Sequence, residues 1–161
     1  MEIVSRSLAE TEEAARAFLD KLKPAKGRAT VIGLLGELGS GKTAFTQAAA
    51  RALGIRAPVQ SPTFVIMKTY AVSGKWQGSP LTNGKGDPFC PWGNLIHIDC
   101  YRLNKADDLL HLGWDELAAD PANLILVEWP ERVGNLLSSP ALKIKFEVVD
   151  ENSRKIIYDE K

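Results

Sequence analysis

The 161-residue chain has little cysteine and no excess of charge of either sign. Cys90 and Cys100 are its only cysteines, too few for a disulfide scaffold. With two histidines they lack the short paired spacings of a zinc site, so we expect no zinc. Basic and acidic residues number 20 each, so no net charge attracts nucleic acid or an acidic membrane. No apolar run approaches the roughly 20 residues of a membrane span, and no signal-peptide pattern is present, which predicts a cytoplasmic protein without membrane contact.

The length and composition favour one folded unit. A chain with 45% hydrophobic and 25% charged residues is typical of a single globular domain, here spanning residues 1–161. The zero net charge is the sum of unequal parts, because residues 31–98 carry a net +4 and residues 99–161 a net −5. The positive middle part contains the glycine-rich motif described below.

Apolar periodicity predicts the secondary structure. Helical spacing, opened by a Ser-x-x-Glu capping box, predicts a first helix over residues 7–22. Continuous apolar runs, typical of strands buried on both faces, occupy residues 29–35, 95–98 and 124–127. Further predicted elements are helices at 42–53, 105–119 and 131–137, a strand at 64–72, and a hairpin of 143–149 with 154–158. Helices interleaved with buried strands indicate a three-layer α/β domain with a mainly parallel sheet, antiparallel edge strands and a C-terminal hairpin.

One long segment has no packing pattern. Residues 73–93 are rich in Gly, Pro, Asn and Asp and predict a long surface loop. We expect its Trp76 and Trp92 to be exposed for a partner, and Trp114 to lie in the core. Asn104 is expected to cap the helix that follows it.

The glycine-rich motif predicts a phosphate site. Residues 36–43, GELGSGKT, match G-x-x-x-x-G-K-[ST] between a buried strand and a helix. Such a loop curls backbone N–H groups around a phosphate, the lysine reaches the β and γ phosphates, and the threonine hydroxyl suits Mg²⁺. The predicted nucleotide-binding residues here are Gly36, Glu37, Leu38, Gly39, Ser40, Gly41, Lys42, Thr43 and Ala44. The motif predicts a P-loop NTPase-like fold.

Hydrolysis also needs carboxylates near the metal and the water. Asp99 and Glu128 each follow a buried strand, where P-loop proteins commonly place an acidic residue for Mg²⁺. We expect Glu128 to serve Mg²⁺, directly or through water, and Asp99 to orient or deprotonate the attacking water. Ser61 and Thr63 precede the next strand, at the position of a switch-like segment that senses the γ-phosphate. Lys42, Asp99 and Glu128 are therefore the predicted catalytic residues.

Five motifs in order resemble those of the bacterial TsaE (YjeE) ATPases. They are residues 36–43, then SPTF at 61–64, HIDCYRL at 97–103, LGW at 112–114 and VEWP at 127–130. The resemblance implies an ATP- and Mg²⁺-dependent hydrolase that works with TsaB and TsaD in threonylcarbamoyladenosine modification of tRNA, touching tRNA only through that complex. It further implies Thr43 and Glu128 as Mg²⁺ ligands, Asp99 as a catalytic acid, Trp129 beside the nucleotide and Thr11 on the adenine side.

Other interpretations stay open at this point. Residues 104–107, NKAD, match a guanine-reading motif, but the chain has no D-x-x-G, so we expect adenine. A small kinase that phosphorylates a metabolite is one alternative to an ATPase, and a nucleotide-gated binding module with incidental hydrolysis is another. His97 shares a strand face with Asp99, either to position it or as a hydrogen-bonded core residue. Arg102 could meet the phosphates or a carboxylate.

Overall fold

A seven-stranded mixed sheet forms the centre of residues 1–72, 90–137 and 142–159, which this computed structural model describes. The strands are β1 (Glu2–Ser5), β2 (Thr30–Leu35), β3 (Met67–Ala71), β4 (Asn94–Asp99), β5 (Asn123–Glu128), β6 (Leu142–Val148) and β7 (Arg154–Tyr158). The helices are α1 (Leu8–Lys21), α2 (Lys42–Ala52), α3 (Ala106–Leu110) and α4 (Trp114–Ala119), and Pro130–Leu137 forms a 3₁₀ segment. Most of the predicted loop, residues 73–89, lies outside the described residues.

The sheet has a parallel centre and antiparallel edges. Its order is β1-β7-β6-β2-β5-β4-β3, and β6, β2, β5 and β4 run parallel. β3 lies antiparallel to β4 at one edge, while β7 and then β1 add antiparallel strands at the other. This arrangement confirms the predicted sheet and hairpin. Strand β1 was not predicted, because four residues are too short to show a period.

Helices cover both faces of the sheet. Along β5, Leu124 and Leu126 join the core beneath α1 and α2, while Ile125 and Val127 join the core beneath α3, α4 and the 3₁₀ segment. Successive strand residues point to opposite faces, so a strand covered twice must be apolar throughout. The predicted three layers are confirmed. Among the described residues, no helix is long and apolar enough to cross a bilayer.

Aromatic side chains pack the two large helices against each other and against the sheet. Ser7 caps α1 by accepting a bond from the Glu10 N–H at 3.1 Å, as the capping box predicts. The Phe18 ring of α1 lies 5.9 Å from the Phe45 ring of α2, and Phe45 lies 5.4 Å from Phe146 of β6, both edge to face. These contacts fix α2, whose first turn carries Lys42 and Thr43.

Three local predictions are corrected. The helix predicted over 105–119 breaks into α3 and α4 at Gly113, whose φ of +83° is left-handed. The cap residue of α3 is Lys105, not Asn104, whose N–H instead donates to Asp108. Strand β3 begins three residues later than predicted, because residues 64–66 form a turn.

The expectation that Trp92 is exposed for a partner is wrong. Its side chain is only 1% exposed, and its Nε1–H donates to Thr30 Oγ1 at 3.1 Å. Burial of a large ring with a satisfied N–H is a core role. Trp114 is buried as predicted, whereas Trp76 lies outside the described residues.

We predict that Phe45→Ala destabilises the fold by about 3–5 kcal/mol, because it empties a fully buried aromatic site. Phe64→Ala is the matched control, since the same atoms are removed from a side chain that is 84% exposed. It should change the free energy of unfolding by less than about 0.5 kcal/mol. Urea denaturation measures both; similar losses would contradict the assigned core.

Candidate functional site

The loop between β2 and α2 is shaped by glycine. Gly36 has a φ of +146°, and a Cβ there would lie 2.5 Å from the Phe146 carbonyl oxygen and 2.7 Å from Ser40 Oγ. Gly41, with a φ of +104°, is the N-cap residue of α2. Side chains at these positions would be strained or would collide. The sequence therefore needs glycine here to bring the loop backbone close to β6 and into the start of α2.

The start of α2 faces the loop. The first N–H groups of a helix have no intrahelical acceptor and carry the positive end of its dipole, so they bind anions. Lys42, only 4% exposed, lies there, and its Nζ donates to the carbonyl oxygens of Gly36 at 2.7 Å and Glu37 at 2.9 Å. The same Nζ lies 4.1 Å from the centre of the Trp129 ring. The ammonium group of Lys42 and the N-terminus of α2 thus meet at one place.

Burial and nearby carboxylates act on Lys42 in opposite directions. Desolvation lowers the pKa of its ammonium group, and the negative charges of Glu128, Asp99 and Glu131 raise it again. The net pKa lies below the ordinary lysine value. The ammonium group therefore sits in a partly desolvated cluster of charges, where its attraction to an anion is stronger than at the protein surface.

Two buried carboxylates end neighbouring parallel strands. Asp99 of β4 and Glu128 of β5 are register partners, and each is 4% exposed. Glu128 Oε1 accepts a hydrogen bond from Thr43 Oγ1 of α2 at 2.8 Å. The strand ends, the loop and the first turn of α2 therefore converge, as the sequence predicts.

Asp99 is held by the predicted switch-like residues. Its Oδ2 accepts from Thr63 Oγ1 at 2.5 Å and from Ser61 Oγ at 3.4 Å, and its Oδ1 accepts from the Tyr101 N–H at 2.9 Å. Ser61 and Thr63 lie in an irregular segment that leads to a left-handed Ile66, with φ +65°. A β-branched residue rarely adopts this φ, so the segment is strained where it meets Asp99.

His97 contacts Glu128, not Asp99. Its ring is fully buried in β4, and Nε2 lies 2.8 Å from Glu128 Oε1. Nδ1 is also buried and has no hydrogen-bond partner within the described residues. The prediction of a hydrogen-bonded core histidine fits this geometry, and its bond fixes the carboxylate of Glu128.

A cavity of about 300 Å³ opens over these groups. Its lining consists of Leu38, Gly39, Gly41, Lys42, Thr43, Ala44, Ser61, Thr63, Asp99, Tyr101, Glu128 and Trp129. Thr11 is not in this lining: its hydroxyl lies 2.7 Å from Ser5 Oγ and donates to the carbonyl oxygen of Ser7, the N-cap residue of α1. Its predicted contact on the adenine side stays a prediction.

Tyr101 is the lining residue that sequence reasoning missed. Its ring lies 5.3 Å from the Trp129 ring and beneath Arg132, whose guanidinium carbon is 5.6 Å from the ring centre. Arg102, expected at a phosphate or a carboxylate, instead lies 4.6 Å over the Phe64 ring. The position of Tyr101, two residues after Asp99 and directly beyond a strand end, was the signal available in the sequence.

The donor set fits magnesium. Thr43 and Glu128 offer hard oxygen ligands at one place, with Asp99 on the next strand. Among the described residues, no group of three or more His, Cys, Asp or Glu side chains could hold a metal. Mg²⁺ in nucleotide sites uses one or two protein oxygens and takes its other ligands from phosphate and water. Thr43 and Glu128 are therefore sufficient as its protein ligands.

Comparisons with known proteins lead to a single family. The family model of threonylcarbamoyl adenosine biosynthesis protein TsaE matches residues 5–156. The tRNA threonylcarbamoyladenosine biosynthesis protein TsaE of Rickettsia felis is 32% identical over 146 residues, covering 90% of this chain and 71% of that protein. The Aquifex aeolicus protein of the same name is 30% identical over 159 residues, covering 97% and 96%. The crystal structure of Bacillus subtilis YdiB superposes with a TM-score of 0.67 and 27% identity, covering 98% and 83%.

We predict that Gly36→Ala lowers the free energy of unfolding by about 3 kcal/mol or more, because its new Cβ meets backbone and strains φ. Gly27→Ala is the control, since Gly27 also has a positive φ but nothing within 4 Å of the added Cβ. It should cost about 1 kcal/mol. Equal losses in thermal or urea denaturation would mean that the loop tolerates a side chain at Gly36.

Proposed function

The chain belongs to the TsaE family of threonylcarbamoyladenosine biosynthesis proteins, and on that premise we propose that it is an Mg²⁺-dependent ATPase supporting this tRNA modification. One observation carries the proposal: Thr43 of the phosphate loop bonds Glu128 at 2.8 Å, and Asp99 is the register partner of Glu128. A phosphate loop by itself accounts for phosphate binding but not for hydrolysis. A loop with one carboxylate at the metal position and a second beside it has the groups that hydrolysis needs.

The nucleotide's phosphates would lie on the loop and the first turn of α2. There the backbone N–H groups would donate hydrogen bonds to the phosphate oxygens, and Lys42 would exchange its bonds to the Gly36 and Glu37 carbonyls for bonds to phosphate oxygens. Trp129 covers one side of that ammonium group. Because the exchange replaces neutral acceptors with charged ones, it favours binding of a polyphosphate.

Thr43 and Glu128 would hold Mg²⁺, and bound Mg²⁺ neutralises charge that develops on the transferred phosphoryl group. His97 keeps the Glu128 carboxylate turned toward Thr43. These residues already share a hydrogen bond, so little side-chain rearrangement is required to present two oxygens to a cation.

Asp99 would orient the attacking water and accept its proton. Its Oδ1 is fixed by the Tyr101 N–H, whereas its Oδ2 is bonded by the hydroxyls of Thr63 and Ser61. Movement of those hydroxyls toward a γ-phosphate would free Oδ2 for the water. This coupling between Ser61, Thr63 and Asp99 links occupancy of the site to its readiness for hydrolysis.

We further propose TsaB and TsaD as the partners, with tRNA reached only through their complex. The balanced charge of the chain supports this division, because a direct tRNA contact calls for a basic surface. A pull-down with both proteins, run with ATP, with ADP and without nucleotide, tests the assembly. Failure to bind either partner in all three conditions would overturn this part.

We predict different defects for two site variants. Lys42→Ala should weaken ATP binding roughly 10- to 100-fold, since it removes charge-assisted bonds. Asp99→Asn should leave ATP affinity within about threefold and lower kcat roughly 100-fold or more, because it removes a proton acceptor. Asp115→Asn makes the same chemical change at an exposed acid of α4 outside the cavity lining, so it is the matched control for Asp99→Asn and should keep near-normal turnover. Calorimetric binding and phosphate release measure these effects; equal loss of affinity in Lys42→Ala and Asp99→Asn would make Asp99 a binding or structural residue.

A second experiment separates the ATPase from its alternatives. We predict that purified protein prefers ATP to GTP in competition, needs Mg²⁺ and releases inorganic phosphate. Transfer of label from ATP to an added metabolite would instead indicate a kinase.

We also predict that Glu128→Gln, with turnover removed, fails to support repeated rounds of tRNA modification with the partner proteins. Full modification by this variant would indicate a binding module.

A further inference from the structure

Arg154 connects the C-terminal hairpin to the phosphate loop. It is the first residue of β7, and its Nε–H donates to the carbonyl oxygen of Gly39 at 3.1 Å, across 115 positions of sequence. Its Cγ also lies 3.7 Å from the place where a Cβ on Gly41 would stand. The side chain therefore lies against the loop and is not part of the lining of the cavity that contains Asp99 and Glu128.

The other side of the guanidinium is anchored in the turn between β6 and β7. Its Nη1 donates to the carbonyl oxygens of Asp150 at 2.9 Å, Glu151 at 3.2 Å and Ser153 at 3.0 Å. That turn is itself ordered, because Asp150 Oδ1 accepts from the N–H groups of Asn152 and Ser153 at 2.9 and 2.8 Å. These hydrogen bonds lower the pKa of Asp150, so its carboxylate stays charged.

The loop needs an external restraint at Gly39. This residue has a φ of +75°, and a Cβ added to it would meet nothing within 4 Å, so no packing contact restrains it on that side. A glycine-rich loop samples many backbone conformations, and only the curled one presents its N–H groups together. The bond from Arg154 fixes the direction of the Gly39 carbonyl, and the N–H of the same peptide, that of Ser40, donates to the Glu37 carbonyl at 3.2 Å, so both polar groups of this peptide are held.

We propose that Arg154 is a positioning residue, holding the phosphate loop in the conformation that binds nucleotide. The proposal rests on the proposed function in so far as the ligand is ATP, but the ordering of the loop is a property of the protein alone. Arg154 is absent from the lining of the cavity, so its effect passes through the Gly39 peptide. Loss of the restraint lowers the fraction of protein with a competent loop, and the apparent dissociation constant rises by the same factor.

The guanidinium shape, not only the positive charge, is required. Nε and Nη1 donate to different partners at the same time, toward the loop and toward the turn. A lysine ammonium is a single point donor on a flexible stem and does not reproduce this fork. Arg154→Lys therefore keeps the charge and removes the bridge, which separates positioning from long-range attraction of phosphate.

The test compares Arg154→Ala and Arg154→Lys with Lys155→Ala. Lys155 is next on the same strand and forms an ion pair with Glu2 at 3.0 Å, so its loss controls for removal of a β7 cation. The readouts are amide hydrogen exchange of residues 37–41 without nucleotide, the dissociation constant for ATP, and kcat at saturating ATP. Thermal melting verifies that each variant is folded.

Both Arg154 variants should exchange loop amides about three- to tenfold faster and bind ATP about three- to tenfold more weakly, as expected for loss of one or two hydrogen bonds. Their kcat should stay within about twofold, because saturating ATP selects the competent loop. Lys155→Ala should match the parent protein in all three. Parent-like exchange and affinity in both Arg154 variants would overturn the proposal, as would full rescue by lysine. Failure of the parent protein itself to bind ATP would overturn the proposed function, while the exchange comparison would still decide the role of Arg154.

Discussion

The site depends on the carboxylate of Glu128, which joins three elements through one oxygen. Its Oε1 lies 2.8 Å from Thr43 Oγ1 on α2 and 2.8 Å from His97 Nε2 on β4, while its own backbone belongs to β5. A buried carboxylate without partners would be costly, so the contacts on this oxygen offset its desolvation. The burial that makes these hydrogen bonds necessary also makes them directional. They therefore fix the positions of α2, the loop and both strand ends relative to one another.

The parallel centre of the sheet explains why these groups meet at all. Parallel neighbours bring their carboxyl ends to the same edge, and ligands of open α/β sheets bind there. The β4–β5 register sets Asp99 opposite Glu128, and the order β2-β5-β4 sets the phosphate loop after β2 beside both. A slip of one residue in the β4–β5 pairing would move Asp99 out of line with Glu128 and reverse the faces of the buried side chains. The apolar clusters on both faces stabilise that register.

Much of this arrangement was predictable because its signals are local. The glycine spacing of residues 36–41 predicted the loop, and the apolar runs before Asp99 and Glu128 predicted buried strands whose ends carry acids. The N-cap at Ser7 was predictable for the same reason, since its side chain bonds the N–H of Glu10, only three residues along the chain. Each of these features needs only a short stretch of chain to specify it.

The features that escaped prediction depend on partners distant in sequence. Trp92 follows a polar, proline-containing stretch and was assigned to a surface loop, yet Thr30 supplies an acceptor for its N–H within the core. Arg154 is one cation among many in the acidic part of the chain, and only the fold brings it to the Gly39 carbonyl. For His97 the sequence left open either a role in positioning Asp99 or a place as a hydrogen-bonded core residue, and it did not identify the partner, a carboxylate on the next strand. Chain patterns specify which groups are buried, whereas the partners of buried polar groups are specified by strand order, which no single segment encodes.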